Sequence, residues 1–145
     1  MSRQRDILTP SLKHATVGDA MRDSIISCPP ETSATKLART MATRGVHCLF
    51  VMHSPQDEAG RPYVWGIVSD LDLMRAALRG DEETADSLAS EPVITVKPAM
   101  PLIQAVELMV KNAVSHLVVV DPETLRPVGV LATTDVAEVL AWGER

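Results

Sequence analysis

Two short segments of the sequence place polar side chains where a strand-like run ends and a helix-like run begins. The first is GIVSDLD, residues 66–72, with Ser69 and Asp72, and the second is GVLATTD, residues 129–135, with Asp135. A carboxylate can accept hydrogen bonds from two vicinal hydroxyls, as a sugar diol presents them. A helix N-terminus adds unpaired N–H groups and a positive dipole end, which suit a phosphate. Both segments are therefore candidate ligand sites.

The same pattern also fits a structural role. Ser-x-x-Asp ahead of an apolar run is close to a helix capping box, in which side chains and backbone N–H groups of the first turn satisfy one another. In the second copy Ala132 takes the place of Ser69. Alanine is a poor N-cap, by about 1 kcal/mol, and in a binding site the lost hydroxyl removes one hydrogen bond. In both interpretations we expect the second copy to be weakened and not abolished, because Asp135 remains.

The two segments belong to an internal repeat that covers nearly the whole chain. Residues 25–52 align without a gap on residues 93–120, with Pro30 opposite Pro98. The first copy carries an insertion, residues 53–63, whose polar residues, Pro and Gly predict a hairpin loop. We predict an N-terminal arm over residues 1–15, a first repeat over 16–80 and a second over 81–145. A single copy of about 60 residues would be marginally stable alone, so the two are expected to form one module.

Each copy is predicted to fold as β-α-β-β-α behind a short helix that Thr16 or Thr84 caps. The middle strands are almost continuously apolar, which indicates burial on both faces. We expect an α/β (α+β) fold in which two repeats pack their sheets together with pseudo-twofold symmetry and equivalent clefts. In the second copy the helical spacing predicts one buried apolar face, formed by Leu102, Ala105, Val106, Met109 and Val110.

Composition and charge disfavour several classes of function. The net charge of −5 argues against nucleic acid or an anionic membrane surface as the main partner. No apolar run approaches the roughly 20 residues of a membrane helix, and two cysteines without a secretory signal favour a reduced, cytoplasmic setting. Most basic residues are expected to be solvated, although one or two could neutralise a ligand phosphate. The candidates are Arg22, Lys36, Arg44, Arg75, Lys111 and Arg126.

No residue pattern supports a metal centre or an enzyme active site. His47 and Cys48 are neighbours on one predicted strand, so their side chains point to opposite faces and cannot bind one ion. The sequence contains no Cys-x-x-Cys or His-x-x-x-His spacing, no nucleophile elbow and no P-loop. We therefore assign no metal ligand and no catalytic residue.

From about Thr16 to Trp142 the chain resembles a tandem pair of CBS domains, the regulatory modules named after cystathionine β-synthase. The resemblance lies in the opening strands that end near Pro30 and Pro98, and in the middle strands GVHCLFV and AVSHLVVVD. The closing segment G-h-h-[ST]-x-x-D, where h is hydrophobic, completes it. No single feature is specific, but their order, spacing and duplication are. The resemblance implies that the pair binds adenosine-containing ligands and often dimerises.

Carried over residue by residue, the resemblance assigns ribose binding to Ser69 and Asp72 in one cleft and to Asp135 in the other. Ala132 departs from the family pattern. Adenine is expected against the opening strands, and the starts of the middle strands are expected to line the clefts. The opening-strand residues are Ile26, Ser27 and Cys28, and Ile94, Thr95 and Val96; the middle-strand residues are Val46 and His47, and Val114 and Ser115.

The expected function is that of a non-catalytic sensor. Its ligand would be AMP, ADP, ATP, NAD(H) or S-adenosylmethionine, with no required cofactor. A homodimer would signal to another protein through a conformational or oligomeric change. The alternative is an interaction protein with vestigial clefts that acts through dimerisation. The sequence does not identify the ligand, its affinity or the regulated partner.

Overall fold

The computed structural model describes residues 12–52, 64–80, 82–90 and 92–143. The predicted hairpin loop over residues 53–63 and residues 1–11 of the predicted arm lie outside these ranges. In chain order the elements are α1 Val17–Ala20, β1 Ser27–Cys28, α2 Ala34–Arg44, β2 Cys48–Met52, β3 Val64–Ser69, α3 Asp70–Arg79, α4 Ala85–Leu88, β4 Thr95–Val96, α5 Leu102–Asn112, β5 His116–Val120, β6 Pro127–Ala132 and α6 Thr133–Trp142.

The two halves of the chain have the same sheet topology. One three-stranded sheet has the order β1-β2-β3 and the other the order β4-β5-β6. In each, the opening strand pairs parallel with the middle strand and the closing strand pairs antiparallel with it. Even the register shift recurs, between Val51 and Met52 and between Val119 and Val120. The predicted mixed α/β fold of two β-α-β-β-α repeats is confirmed.

Local sequence explains where the helices begin and end. Thr16 and Thr84 are the N-cap residues of the short helices α1 and α4, as predicted. The Ser33 hydroxyl accepts a hydrogen bond from the Lys36 N–H at 3.2 Å and so caps α2. The αL residue that ends α2 is Gly45, with φ at 65°. At the equivalent position after α5 stands Ala113, with φ at 53°, a region that favours glycine.

Each sheet packs one face against its helices to form an aliphatic core. The middle strand β5 is buried along its whole length, as its apolar run predicted. On α5, Leu102, Ala105 and Met109 are buried, but Val110 is 77% exposed. The prediction that Val110 belongs to the buried face is wrong. At about 100° per residue it lies roughly a quarter turn beyond the edge of the face that meets the sheet.

The compact units of the structure cut across the sequence repeats. Of the described residues, we call those within Ile25–Val93 the Asp72 unit, and those up to Ser24 together with those from Ile94 the Asp135 unit. The short helix that begins each repeat therefore lies in the unit formed by the other repeat. Val17 N–H donates to the Met100 carbonyl at 2.9 Å in one unit, and Ala85 N–H donates to the Thr32 carbonyl at 2.8 Å in the other. Repeats and units are two different divisions of this chain.

Candidate functional site

The closing turn of each unit lies beside the start of its middle strand. In the Asp72 unit Cys48 pairs with Ser69, and Asp70 N–H donates to the His47 carbonyl at 3.0 Å. In the Asp135 unit Thr133 N–H donates to the Ser115 carbonyl at 3.1 Å. The antiparallel register thus brings a strand start and a helix N-terminus together at one end of each sheet.

The Asp72 turn is a complete capping box. Asp72 is 3% exposed, and its Oδ2 accepts from the Ser69 N–H at 2.8 Å and from the Ser69 hydroxyl at 3.0 Å. The Asp72 N–H in turn donates to Ser69 Oγ at 3.2 Å. The pattern that suggested a ligand site therefore also performs the structural role that the sequence left open.

The second carboxylate oxygen of Asp72 contacts side chains from outside the turn. Its Oδ1 accepts from the Ser90 hydroxyl at 2.6 Å. Arg75, one helical turn further along α3, places Nη1 at 3.5 Å from the same oxygen, beyond an ordinary hydrogen bond. A neutral hydroxyl is therefore the near donor to Oδ1, and a guanidinium lies just behind it.

The Asp135 turn retains only half of the box. Asp135 is fully buried, and its Oδ2 accepts from the Ala132 N–H at 2.8 Å. Ala132 has no side-chain oxygen to return a bond to the helix. Oδ1 accepts from Arg22 Nε at 2.9 Å, while Arg22 Nη2 lies 3.4 Å from Glu138 Oε1. Here a guanidinium is the near donor, and a second carboxylate lies just behind it.

The donors in the two units occupy equivalent positions of the repeat. Arg22 aligns with Ser90 through the same offset that aligns Thr16 with Thr84, and Glu138 aligns with Arg75 through the offset that aligns Asp135 with Asp72. Arg22 of the Asp135 unit thus occupies the position of the neutral Ser90. Arg75 of the Asp72 unit occupies the position of the acidic Glu138. Sequence reasoning named Arg22 and Arg75 only among scattered basic residues and missed Ser90 and Glu138. The repeat alignment pairs these positions, but it does not indicate that they contact the carboxylates.

The glycine that opens each closing segment lets the donor-bearing chain approach the strand. A Cβ on Gly129 would lie 2.6 Å from the Arg22 carbonyl oxygen. Arg22 and Val130 exchange backbone hydrogen bonds of 3.0 and 2.9 Å, which fixes that approach. On Gly66 a Cβ would lie 2.9 Å from the Ala89 Cβ. Glycine is required at both positions because chain from the other repeat packs against the strand.

The opening strands present a mixture of buried and exposed side chains. Ser27 and Thr95 are exposed, whereas Cys28 and Val96 belong to the cores of their units. Burial raises the pKa of the Cys28 thiol, against an opposing hydrogen bond with Thr32. The side chains of Ile26 and Ile94 are partly buried, and their carbonyls accept from the middle strands at 2.9 Å.

The residues that begin the middle strands differ in exposure between the units. Val46 is partly buried and Val114 is 5% exposed, so both face their cores. The His47 side chain is exposed, and its Nδ1 lies 3.1 Å from Asp70 Oδ2. Ser115 is half-buried and contacts the His116 ring at 3.3 Å. The predicted cleft residue at the start of the middle strand is thus the exposed His47 in one unit and the half-buried Ser115 in the other.

Among residues 12–52, 64–80, 82–90 and 92–143, no three His, Cys, Asp or Glu side chains are grouped so that they could hold a metal ion. None of the helices in the described ranges combines the length and apolar character needed to cross a membrane.

Comparison with known proteins agrees with the architecture. The family model of the CBS domain matches residues 17–79 and 85–141. An uncharacterized protein of Methanopyrus kandleri is 26% identical over 132 residues, which are 88% of this chain. The chain spans 64% of that relative's length, less than two thirds of it.

Solved structures with the same fold include complexes with adenosine compounds. The CBS domain pair of protein MJ0100, in complex with 5′-methylthioadenosine and S-adenosyl-L-methionine, matches with a TM-score of 0.73 and 22% identity, over 88% of this chain and 96% of that chain. CBSX2 in complex with AMP matches with a TM-score of 0.68 and 22% identity, over the same shares of the two chains. At this identity the likeness concerns the fold.

Proposed function

The chain belongs to the CBS domain family, and on that premise we propose that it is a non-catalytic regulatory module that binds an adenosine-containing ligand. One observation carries the proposal. Each unit buries a carboxylate at the first turn of a helix, and a side chain from outside that turn donates a hydrogen bond to one of its oxygens. Those carboxylates belong to Asp72 and Asp135.

The two oxygens of each carboxylate have separate roles. Oδ2 of Asp72 and of Asp135 is bound by the backbone N–H of its own turn, at 2.8 Å in both units, and this contact keeps the carboxylate in place. Oδ1 is bound by a side chain from a distant part of the chain, Ser90 or Arg22. A ribose hydroxyl can take over the Oδ1 contact without breaking the turn, because the turn is held through Oδ2.

The opening strands are suited to a flat base. Strands β1 and β4 are each at the edge of their three-stranded sheet, so their outer backbone groups are not used by the sheet ladder. Ser27 and Thr95 add exposed hydroxyl side chains there. Backbone N–H and C=O groups can read the edge of an adenine while apolar strand atoms contact its face.

Ligand binding at Oδ1 could change the conformation of the chain. When a ribose hydroxyl replaces Ser90 or Arg22, the segment that follows each short helix loses one tether to the closing turn. We propose that this change is read by a homodimer or a partner protein. Such an effect requires the ligand to bind one conformation more tightly than the other.

One observation favours the alternative of an interaction protein with vestigial sites. Both carboxylates already have internal partners, and α3 exposes an apolar stripe. Its members are Leu71, Met74 and Leu78, which are 54%, 57% and 89% exposed. An i, i+3, i+7 stripe of this kind suits packing against another helix.

The test is thermal unfolding with and without AMP, ADP, ATP, NAD(H), S-adenosylmethionine and 5′-methylthioadenosine. A ligand at 100 times its dissociation constant stabilises the native state by about 2.7 kcal/mol. We expect Asp72→Asn and Asp135→Asn each to reduce that gain, and 2′-deoxyadenosine to bind more weakly than adenosine.

The matched controls are Glu82→Gln, an exposed carboxylate of the Asp72 unit, and Glu107→Gln, an exposed carboxylate on α5. Neither should reduce the ligand-induced shift. If no adenosine compound at millimolar concentration shifts the unfolding temperature, the sites are vestigial and the interaction protein becomes the better description.

A further inference from the structure

We propose that the two sites differ in the charge of ligand they accept, and that Arg22 sets this difference. The Asp135 site requires an adenosine ligand with an anionic group, such as a 5′-phosphate, whereas the Asp72 site also accepts an uncharged one. This inference rests on the proposed function and deepens it.

The first step is the difference in what a ribose must displace. At Asp72 the near donor to Oδ1 is the Ser90 hydroxyl at 2.6 Å, so a ribose hydroxyl replaces one neutral donor with another. Arg75 stays within 3.5 Å and continues to balance the buried charge. The exchange leaves the charges around this carboxylate unchanged.

At Asp135 the same exchange separates two charges. The near donor to Oδ1 is Arg22 Nε at 2.9 Å, and Asp135 is fully buried. Charge-assisted hydrogen bonds of this kind are about twice as strong as neutral ones. A neutral ligand that takes Oδ1 removes that bond and supplies no negative charge of its own to the guanidinium.

The second step is the position of the released guanidinium. Glu138 Oε1 lies 3.4 Å from Arg22 Nη2, and Arg22 exchanges backbone hydrogen bonds with Val130. Arg22 therefore stays at the mouth of the site after Nε leaves Asp135. Its free N–H groups then match the oxygens of a phosphate, which guanidinium binds in a planar, two-pronged geometry. An anionic ligand restores the charge pairing that its ribose removed.

The third step is that the Asp72 unit has a neutral residue, Ser90, at the position equivalent to Arg22. Ser90 cannot carry a charge, and the cation of that unit, Arg75, projects from the helix itself at 54% exposure. No cation has to leave Asp72 for a ribose to bind. Uncharged adenosine is therefore expected to bind this site nearly as well as AMP.

The experiment measures AMP and adenosine binding by isothermal titration calorimetry to the whole chain with one site disabled. In Asp72→Asn, only the Asp135 site remains, and its affinity for AMP should be at least about tenfold higher than its affinity for adenosine. In Asp135→Asn, only the Asp72 site remains, and the two affinities should agree within about threefold.

Removal of the cation tests the role of Arg22 directly. In Asp72→Asn with Arg22→Ser, which places the residue of the other unit at this position, the preference for AMP should fall to about threefold or less. Adenosine itself should bind more tightly than before. Arg39→Ser, which removes an exposed arginine on α2, is the matched control and should leave the tenfold preference in place.

A second variant keeps the test decisive if Arg22→Ser does not fold. Glu138→Gln leaves Arg22 in place and removes the carboxylate that shares it, so AMP should bind more tightly while adenosine is unaffected. An AMP preference that is the same with and without Arg22, or unchanged in Glu138→Gln, would overturn the inference and leave the proposed function intact. Failure of both ligands to bind the wild-type chain would reject the proposed function, and this inference with it.

Discussion

The Asp72 and Asp135 turns are two versions of one structure, and the groups around their carboxylates differ in side chains. Both hold the carboxylate Oδ2 with the backbone N–H of the N-cap residue at 2.8 Å. The hydroxyl of the cap, the donor to Oδ1 and the charge one turn along the helix all differ. The geometry of the turn therefore depends on backbone groups, which survive the exchange of residues. The chemistry that a ligand would meet depends on side chains, which do not.

The largest expected effect comes from the glycines that bring the donors close. Gly129→Ala would place a Cβ 2.6 Å from the Arg22 carbonyl, which cannot retreat without breaking its bonds to Val130. We expect a loss of about 3 kcal/mol of unfolding free energy. Gly66→Ala would place a Cβ 2.9 Å from the Ala89 Cβ, a side-chain atom, and should cost about half as much.

Urea unfolding monitored by circular dichroism measures both variants, with the exposed Ser24→Ala as the control. If Gly129→Ala and Gly66→Ala lose equal unfolding free energy, the backbone bridge between Arg22 and Val130 adds no rigidity to the Asp135 unit.

The N-cap residues provide the next contrast. Ala132→Ser should complete the capping box of α6 and raise the unfolding free energy by about 1 kcal/mol, or roughly 3 °C in melting temperature. Ser69→Ala should lower it by a similar amount, since Ser69 Oγ now accepts from the Asp72 N–H. The double exchange should be close to neutral. A melting temperature of Ala132→Ser at or below that of the wild type would mean that a hydroxyl does not fit at this turn.

The ends of the α2 and α5 helices give a smaller difference. Ala113 has φ at 53° where its counterpart Gly45 has 65°. Glycine adopts this region freely, so Ala113→Gly should stabilise the protein by somewhat less than 1 kcal/mol after the entropy of the unfolded chain is counted. Gly45→Ala should destabilise it by a comparable amount. Denaturant midpoints of the two single variants, which should move in opposite directions, provide the measurement.

The smallest effect depends on pH and distinguishes the two cores. Cys28 occupies the position where the Asp135 unit has Val96, and burial raises the pKa of its thiol. The folded state holds the neutral thiol, so its stabilising contribution is complete below the unfolded pKa and declines as pH rises above it. We expect a loss of at most about 1 kcal/mol by pH 9.5 relative to pH 7.

Cys28→Val should remove the decrease in unfolding free energy between pH 7 and 9.5. Val96→Cys should add a further decrease over the same pH range. Unfolding free energies at pH 7 and 9.5 would measure both. If the wild type and Cys28→Val lose stability equally between these values, other groups cause the pH dependence.

Much of the fold could be predicted from the sequence because periodic apolar patterns and caps determine it locally. The β-α-β-β-α order, the caps at Thr16 and Thr84 and the buried middle strands all follow from residues near in sequence. The lengths of the opening strands were harder to predict. Each lies in a longer β-branched run, but only Ser27–Cys28 and Thr95–Val96 join a sheet. How much of such a run pairs depends on the neighbouring strand and not on the run itself.

The site was only partly predictable for a related reason. The carboxylates stand out because they sit at a recognisable strand-to-helix junction. The partners of Asp72 and Asp135 come from distant chain: Ser90 is 18 residues away and Arg22 is 113 residues away. A single serine or arginine carries no local signal of such a contact. The exchange of short helices between the repeats creates the contact, and only tertiary structure shows it.

That exchange also sets an order of assembly on the ribosome. The Asp72 unit is one continuous segment, Ile25–Val93, and can fold as soon as it has been made. The helix α1 is synthesised earlier, but Val17 and Ala20 find their core only when α5 and α6 have emerged. Helix α1 is therefore among the last elements of the Asp135 unit to be buried, and a ribosome that stalls before Ala132 leaves Val17 and Ala20 exposed. Burial of α1 is expected to depend on α6, Thr133–Trp142, as much as on the earlier α5.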